Sequence, residues 1–136
     1  MSNPHTETIH RSLKRCNRNP RFLDIFYEKF LSSSPEVRDK FSHTDMDRQK
    51  RMVEASLFMS ILASDGVPYA ASSIERLGEM HGNLGVQPAF YNLWLDALID
   101  TIAECDNAFD DDVETAWREV MHDIIAMMLT TSKPQE

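Results

Sequence analysis

His81 is the residue of this 136-residue chain whose type and setting most invite chemistry. Ala70, Ile74, Leu77 and His81 follow one another at spacings of 4, 3 and 4, which places them on one stripe of a helix. One imidazole thus ends an otherwise apolar face, where it serves as a buried base or simply as a core histidine hydrogen-bonded to backbone. Tyr27 is the second such residue: it lies on an apolar stripe with Phe22, Leu23, Phe26, Phe30 and Leu31, and a phenol there needs a partner or a ligand to donate to. Gln49 is the third. A 100° projection puts it with Met52, Val53, Ser56, Met59, Ser60 and Ala63, facing away from Asp47, Lys50, Arg51 and Glu54.

Other candidates fail on spacing. His5 and His10 are five apart, about 140° around a helix, and cannot grip one metal together. Asp110-Asp111-Asp112 lacks the glycine and closing glutamate of a calcium loop and suits the positive end of a helix dipole instead. Cys16 and Cys105 have no C-x-x-C spacing and read as free thiols of a reducing compartment.

The elements that position these residues are helices. Asn3-Pro4 and Asn19-Pro20 signal the first two starts; Ile9, Leu13 and Cys16 share a face of the first, with Lys14, Arg15 and Arg18 read as solvated. Ser34-Pro35 opens a short third helix through Val37 that ends near Phe41, and Thr44 with Asp47 caps a fourth running to about Ala63. Gly66-Val67-Pro68 breaks that helix, the histidine helix follows from Tyr69, and Gly82 and Gly85 stop it. Pro88 opens a helix carrying Phe90, Tyr91, Trp94, Leu95, Leu98, Ile99 and Ile102. The last helix buries Val113, Ala116, Trp117, Val120, Met121, Ile124, Ile125 and Met128.

Bulk properties agree with one soluble domain over residues 1–136. Hydrophobic residues make up 42%, and 14 basic against 22 acidic residues give −8, which repels nucleic acid. The Met1-Ser2-Asn3-Pro4-His5 start holds no apolar signal core and no later run could span a bilayer, so the expected location is cytoplasmic with no membrane partner.

An apolar helix ending in His, a glycine-containing corner and then Val86-x-Pro88-x-x-Tyr91 resembles the proximal side of the haem pocket in bacterial globins and in the globin half of flavohaemoglobins. Tyr27, with Ser34-Pro35-Glu36-Val37 and Phe41 after it, is similar to that family's segment from distal tyrosine to haem-stacking phenylalanine. The resemblance covers residues 19–130, from the end of the first helix (1–18) to a short tail (131–136), and also includes Pro68 and Trp117. It implies an all-α globin fold, a three-over-three helical sandwich around one haem b (iron protoporphyrin IX).

His81 then matches the iron ligand, and Gln49, 32 residues before it, the distal glutamine; Met52, 29 before it, has the distal spacing of animal globins and competes for the role. The short loop after Phe41 favours Gln49. Tyr91 matches a proximal tyrosine, and His43 reads either as a solvated corner residue or as one that reaches a propionate. The implied cofactor set is Tyr27, Phe41, His43, Gln49, Met52, Val53, Leu77, Val86, Tyr91 and Trp94, with His81 on the metal. The implied function is reversible binding of O2, with NO and CO as related ligands. Turnover of nitric oxide with a separate reductase, or gas sensing, are the alternatives. One departure weakens turnover: fifteen residues after Trp117, where relatives carry a glutamate that makes the histidine more basic, this chain has Ser132. Its length also leaves no room for a flavin or NAD module.

Overall fold

The computed structural model describes residues 3–132, the side chain of Ser132 excepted, so the comparison at Ser132 and the end of the expected tail lie outside what is described. The helices are α1 (Thr6–Cys16), α2 (Phe22–Ser32), α3 (Pro35–Lys40), α4 (Met46–Ser64), α5 (Pro68–Asn83), α6 (Pro88–Cys105) and α7 (Asp111–Ser132). No strand occurs among the described residues. α4 packs on both α1 and α5, while α6 packs on both α2 and α7, which gives two layers of three helices with α3 at one end. The layers meet where α1 and α5 lie against α7 and α2 meets α4.

Proline marks the starts of α3, α5 and α6, where its missing N–H costs nothing. Ser34 caps α3 by accepting from the Glu36 N–H, and Asp110 accepts from the Val113 N–H at the head of α7. Other starts differ from the expected ones. Asn3 and Asn19 accept from the N–H two residues on, those of His5 and Arg21, and these Asx turns delay α1 to Thr6 and α2 to Phe22. Asp45, not Thr44, caps α4, its carboxylate accepting from the Asp47 and Arg48 N–H groups. Gly82 lies inside α5; the turn beyond its end is made by Gly85, whose φ of +72° favours glycine.

The buried face of α4 is also rotated from the expected one. Val53, Leu57, Ser60 and Ile61 are buried, whereas Met59 and Ala63 are only half-buried. Lys50 reaches across to Asp24 of α2 at 2.6 Å. Trp117 and Phe26 are fully buried at the centre of the core, each contributing on the order of 2 kcal/mol through removal of apolar area from water.

A second finding overturns the reading of Arg15 as solvated. Its guanidinium donates twice to Asp106, a carboxylate only 3% exposed in the α6–α7 corner. Ser12 donates to the same carboxylate at 2.6 Å, the Ala108 N–H at 2.9 Å, and the Trp117 indole donates to Ser12 at 2.9 Å. This closed network ties α1 to α7 and to the corner that α7 leaves from. Burial alone would raise the Asp106 pKa, but the hydrogen bonds outweigh it and hold the carboxyl below the usual range.

Candidate functional site

Between the layers lies a cavity of about 400 Å³, within the size range of cofactor sites. Its walls come from α2 through α7, and they include Tyr27, Phe41, Gln49, Met52, Val53, Leu77, His81, Val86, Tyr91 and Trp94. Ten of the residues singled out by sequence, the histidine among them, therefore meet in one place. His43 does not: it is exposed in the corner before α4 and is absent from the lining. The chain turns outward there through Thr44 to the Asp45 cap, and carries the imidazole with it.

On one side stands His81, whose Nδ1 is 3.1 Å from the Tyr91 hydroxyl. Burial lowers the His81 pKa from its ordinary 6.5, so the imidazole is neutral at pH 7. With Nδ1 protonated and donating to the Tyr91 oxygen, Nε2 keeps its lone pair free for a metal. Burial also pushes the Tyr91 phenol up to about 12, so it stays protonated. No charged side chain contributes to either shift among the described residues.

Tyr27 stands on the α2 wall, only 3% exposed. Edge-on contacts with Phe26 and Phe41, at centroid separations of 4.9 and 5.9 Å, fix the ring. Burial pushes its phenol up to about 12, while a hydrogen bond with the Gln49 side chain acts in the opposite sense. Tyr27 and Gln49 therefore form a polar pair on an otherwise apolar wall. Met52, on the same helix as Gln49, is 38% exposed. Both Gln49 and Met52 line the cavity, and Gln49 is the one of the two that interacts with Tyr27.

The remaining lining was hidden in the sequence among core stripes. Met121, Ile124, Ile125 and Met128 of α7, with Ile74 and Phe90, close the back of the cavity. Helical spacing marks such residues as buried without saying whether they face a neighbouring helix or a space. Lys40 was missed as well: its ammonium donates to the Leu84 carbonyl at 3.1 Å and lies 3.5 Å from that of Gly85, across the mouth to the end of α5.

A haem fits these residues chemically. The neutral imidazole offers one free nitrogen, and Met52, Met80 and Leu84, large apolar side chains that line the cavity, are left exposed at 38%, 47% and 63%. A flat apolar group seated there would cover them.

A family model described as Globin matches residues 24–128, a span that takes in α3 to α6, most of α2 and α7, and both sides of the cavity. The flavohemoprotein of Vibrio cholerae serotype O1 is 29% identical over an alignment of 103 residues that covers 72% of this chain and 26% of that protein. The flavohemoprotein of Bacillus cereus is 27% identical over an alignment of 96 residues that covers 69% of this chain and 24% of that protein. The chain thus spans about a quarter of the length of these relatives. Among solved structures, a Pseudomonas aeruginosa PAO1 protein described as structurally highly homologous to a human hemoglobin matches with a TM-score of 0.87 and 34% identity. That likeness covers 96% of this chain and 99% of the other. With a Globin model matched over residues 24–128 and a 34% identical structural relative covered almost end to end, the chain belongs to the globin family.

Proposed function

We propose that this chain binds haem b through Nε2 of His81 and uses it to bind O2 reversibly, with NO and CO as related ligands. Haem held there supplies an iron with one coordination position open to a diatomic gas. The observation that carries this reading is the presence, in the lining of one cavity, of a neutral imidazole and a phenol–amide pair carried by different helices.

The residues divide the work. Tyr91 accepts the Nδ1 proton and so fixes both the tautomer and the orientation of His81. Phe41 and Val53 present apolar surface to the macrocycle and exclude water, as Leu77 and Val86 do near His81. Tyr27 and Gln49 direct donors to the opposite side. Such donors would favour a ligand that carries partial negative charge, as O2 would more than CO. Each hydrogen bond is worth about 1 kcal/mol, or more to a partly ionic acceptor, so the pair slows release of O2 by roughly ten- to a hundredfold.

The test is the O2 release rate of the haem-loaded protein, measured by stopped flow. Tyr27→Phe raises it roughly five- to tenfold if the phenol donates to the gas; an unchanged rate removes Tyr27 from this role.

A second reading is favoured by the likeness to flavohemoproteins: a separate reductase supplies electrons and nitric oxide is converted to nitrate. Consumption of NO in the presence of an added reductase and NADH distinguishes it. Among the described residues the partner of His81 is a phenol, which makes the imidazole less electron-donating than a carboxylate would and so supports reversible binding.

A further inference from the structure

The helix that carries His81 has a glycine in its interior, Gly78, where alanine would form the better helix. Gly78 is buried, and the reason for it lies on α7. A Cβ built at Gly78 would come within 2.6 Å of the Met128 carbonyl oxygen and 2.8 Å of the Met128 Cα. It would also lie 2.1 Å from the Thr131 hydroxyl. That hydroxyl cannot simply swing away, since it is held by the Met127 and Met128 carbonyls at 3.3 and 3.1 Å. Two of the three contacts are main chain of a helix whose own core residues are buried, so the two helices would have to separate. Here α5 lies closer to α7 than any side chain at position 78 allows.

His81 follows one turn later, about 4.5 Å further along the same helix. Its imidazole is tied on its other side to Tyr91, which α6 carries. The depth of the histidine in the cavity is therefore set by two constraints, the α5–α7 approach at position 78 and the bond to Tyr91. We propose that Gly78 is a positioning residue for His81: by letting α5 seat on the α7 backbone, it fixes how far the imidazole projects toward the bound group and keeps Nδ1 within reach of Tyr91. This rests on the haem-binding reading above. Gly78 touches neither haem nor gas and acts only through the placement of the histidine.

Resonance Raman spectroscopy of the ferrous, gas-free, haem-loaded protein reads that placement directly through the iron–imidazole stretching band. Gly78→Ala shifts the band away from its wild-type position. Thr131→Leu, which adds bulk from the α7 side and leaves the α5 sequence intact, shifts it in the same direction and serves as the test where the alanine variant folds poorly. Ser12→Ala weakens the fold at the distant Asp106 network and leaves the band in place, so a general loss of stability does not mimic the effect. A band unmoved in both Gly78→Ala and Thr131→Leu overturns the proposal. A wild-type protein that takes up haem but shows no iron–imidazole band overturns the His81 ligation it depends on, and is distinguishable because the variants then have no band to shift.

Discussion

Among the described residues, two groups of polar side chains bring different helices together in the interior, and they are built on opposite terms. Around Asp106 the groups face one another: Arg15, Ser12 and the Ala108 N–H satisfy the carboxylate, and Trp117 satisfies Ser12. Around the cavity the groups face a space. Nδ1 of His81 meets Tyr91 and its other nitrogen has no hydrogen-bond partner among the described residues, while Tyr27 and Gln49 line the same space. The closed cluster has capacity only for holding helices together. The open one keeps hydrogen-bonding and ligating capacity for something that enters, and the apolar core around it bears the cost of burial.

Removing the hub of the closed cluster gives the largest expected effect. Asp106→Ala strands a largely buried guanidinium and a buried hydroxyl, and should lower unfolding free energy by about 3 kcal/mol, read from urea denaturation. The haem spectrum of the protein that remains folded should be unchanged. In the open cluster the signs reverse. Gln49→Leu should speed O2 release roughly fivefold, a loss of about 1 kcal/mol, while the urea midpoint stays near the wild-type value.

The pH dependences should separate in the same way. The folded Asp106 pKa lies below the unfolded value near 3.9. Its stabilising contribution is therefore complete above that value and is lost as pH falls through the folded pKa. The fold should weaken in acid, and Asp106→Asn should flatten that part of the stability profile. Tyr27, raised to about 12, keeps its proton well past the ordinary 10. O2 release should then stay level from neutral pH to about 10; a rise centred near 10 would mean that the phenol is not buried when haem is bound. Trp117→Phe deletes one indole bond to Ser12 and leaves space at a fully buried position, and should cost about 2 kcal/mol of stability with O2 release unchanged.

The open cluster was the more legible of the two in the sequence. Its residues sit on helical stripes where a polar side chain is conspicuous: His81 after Leu77, Tyr27 among phenylalanines, Gln49 beside Val53. The Asp106 network left no such mark, because Ser12 and Asp106 are 94 residues apart and Arg15 follows Lys14 in what reads as a solvated basic run. Helix order was legible from the prolines, but α4 was rotated in the reading. Leu57, Phe58, Met59, Ile61 and Leu62 spread apolar character around most of that helix, so projection alone does not select the Leu57–Ile61 face. The position of His43 relative to the cavity was not legible for a related reason. Its nearness in sequence to Phe41 says nothing about which way a corner turns, and it is exposed. Gly78 was passed over because a lone glycine in a helical pattern gives no hint of the backbone beside it.

Everything assigned to the open cluster depends on the free nitrogen of His81, and its removal is the most direct test. Purified wild-type protein supplied with haem should give a Soret band that shifts on reduction and exposure to CO. His81→Ala should lose that ligated spectrum, with added imidazole restoring it in part. A variant whose absorption and CO response match those of the wild type would contradict the assignment of His81 as the iron ligand.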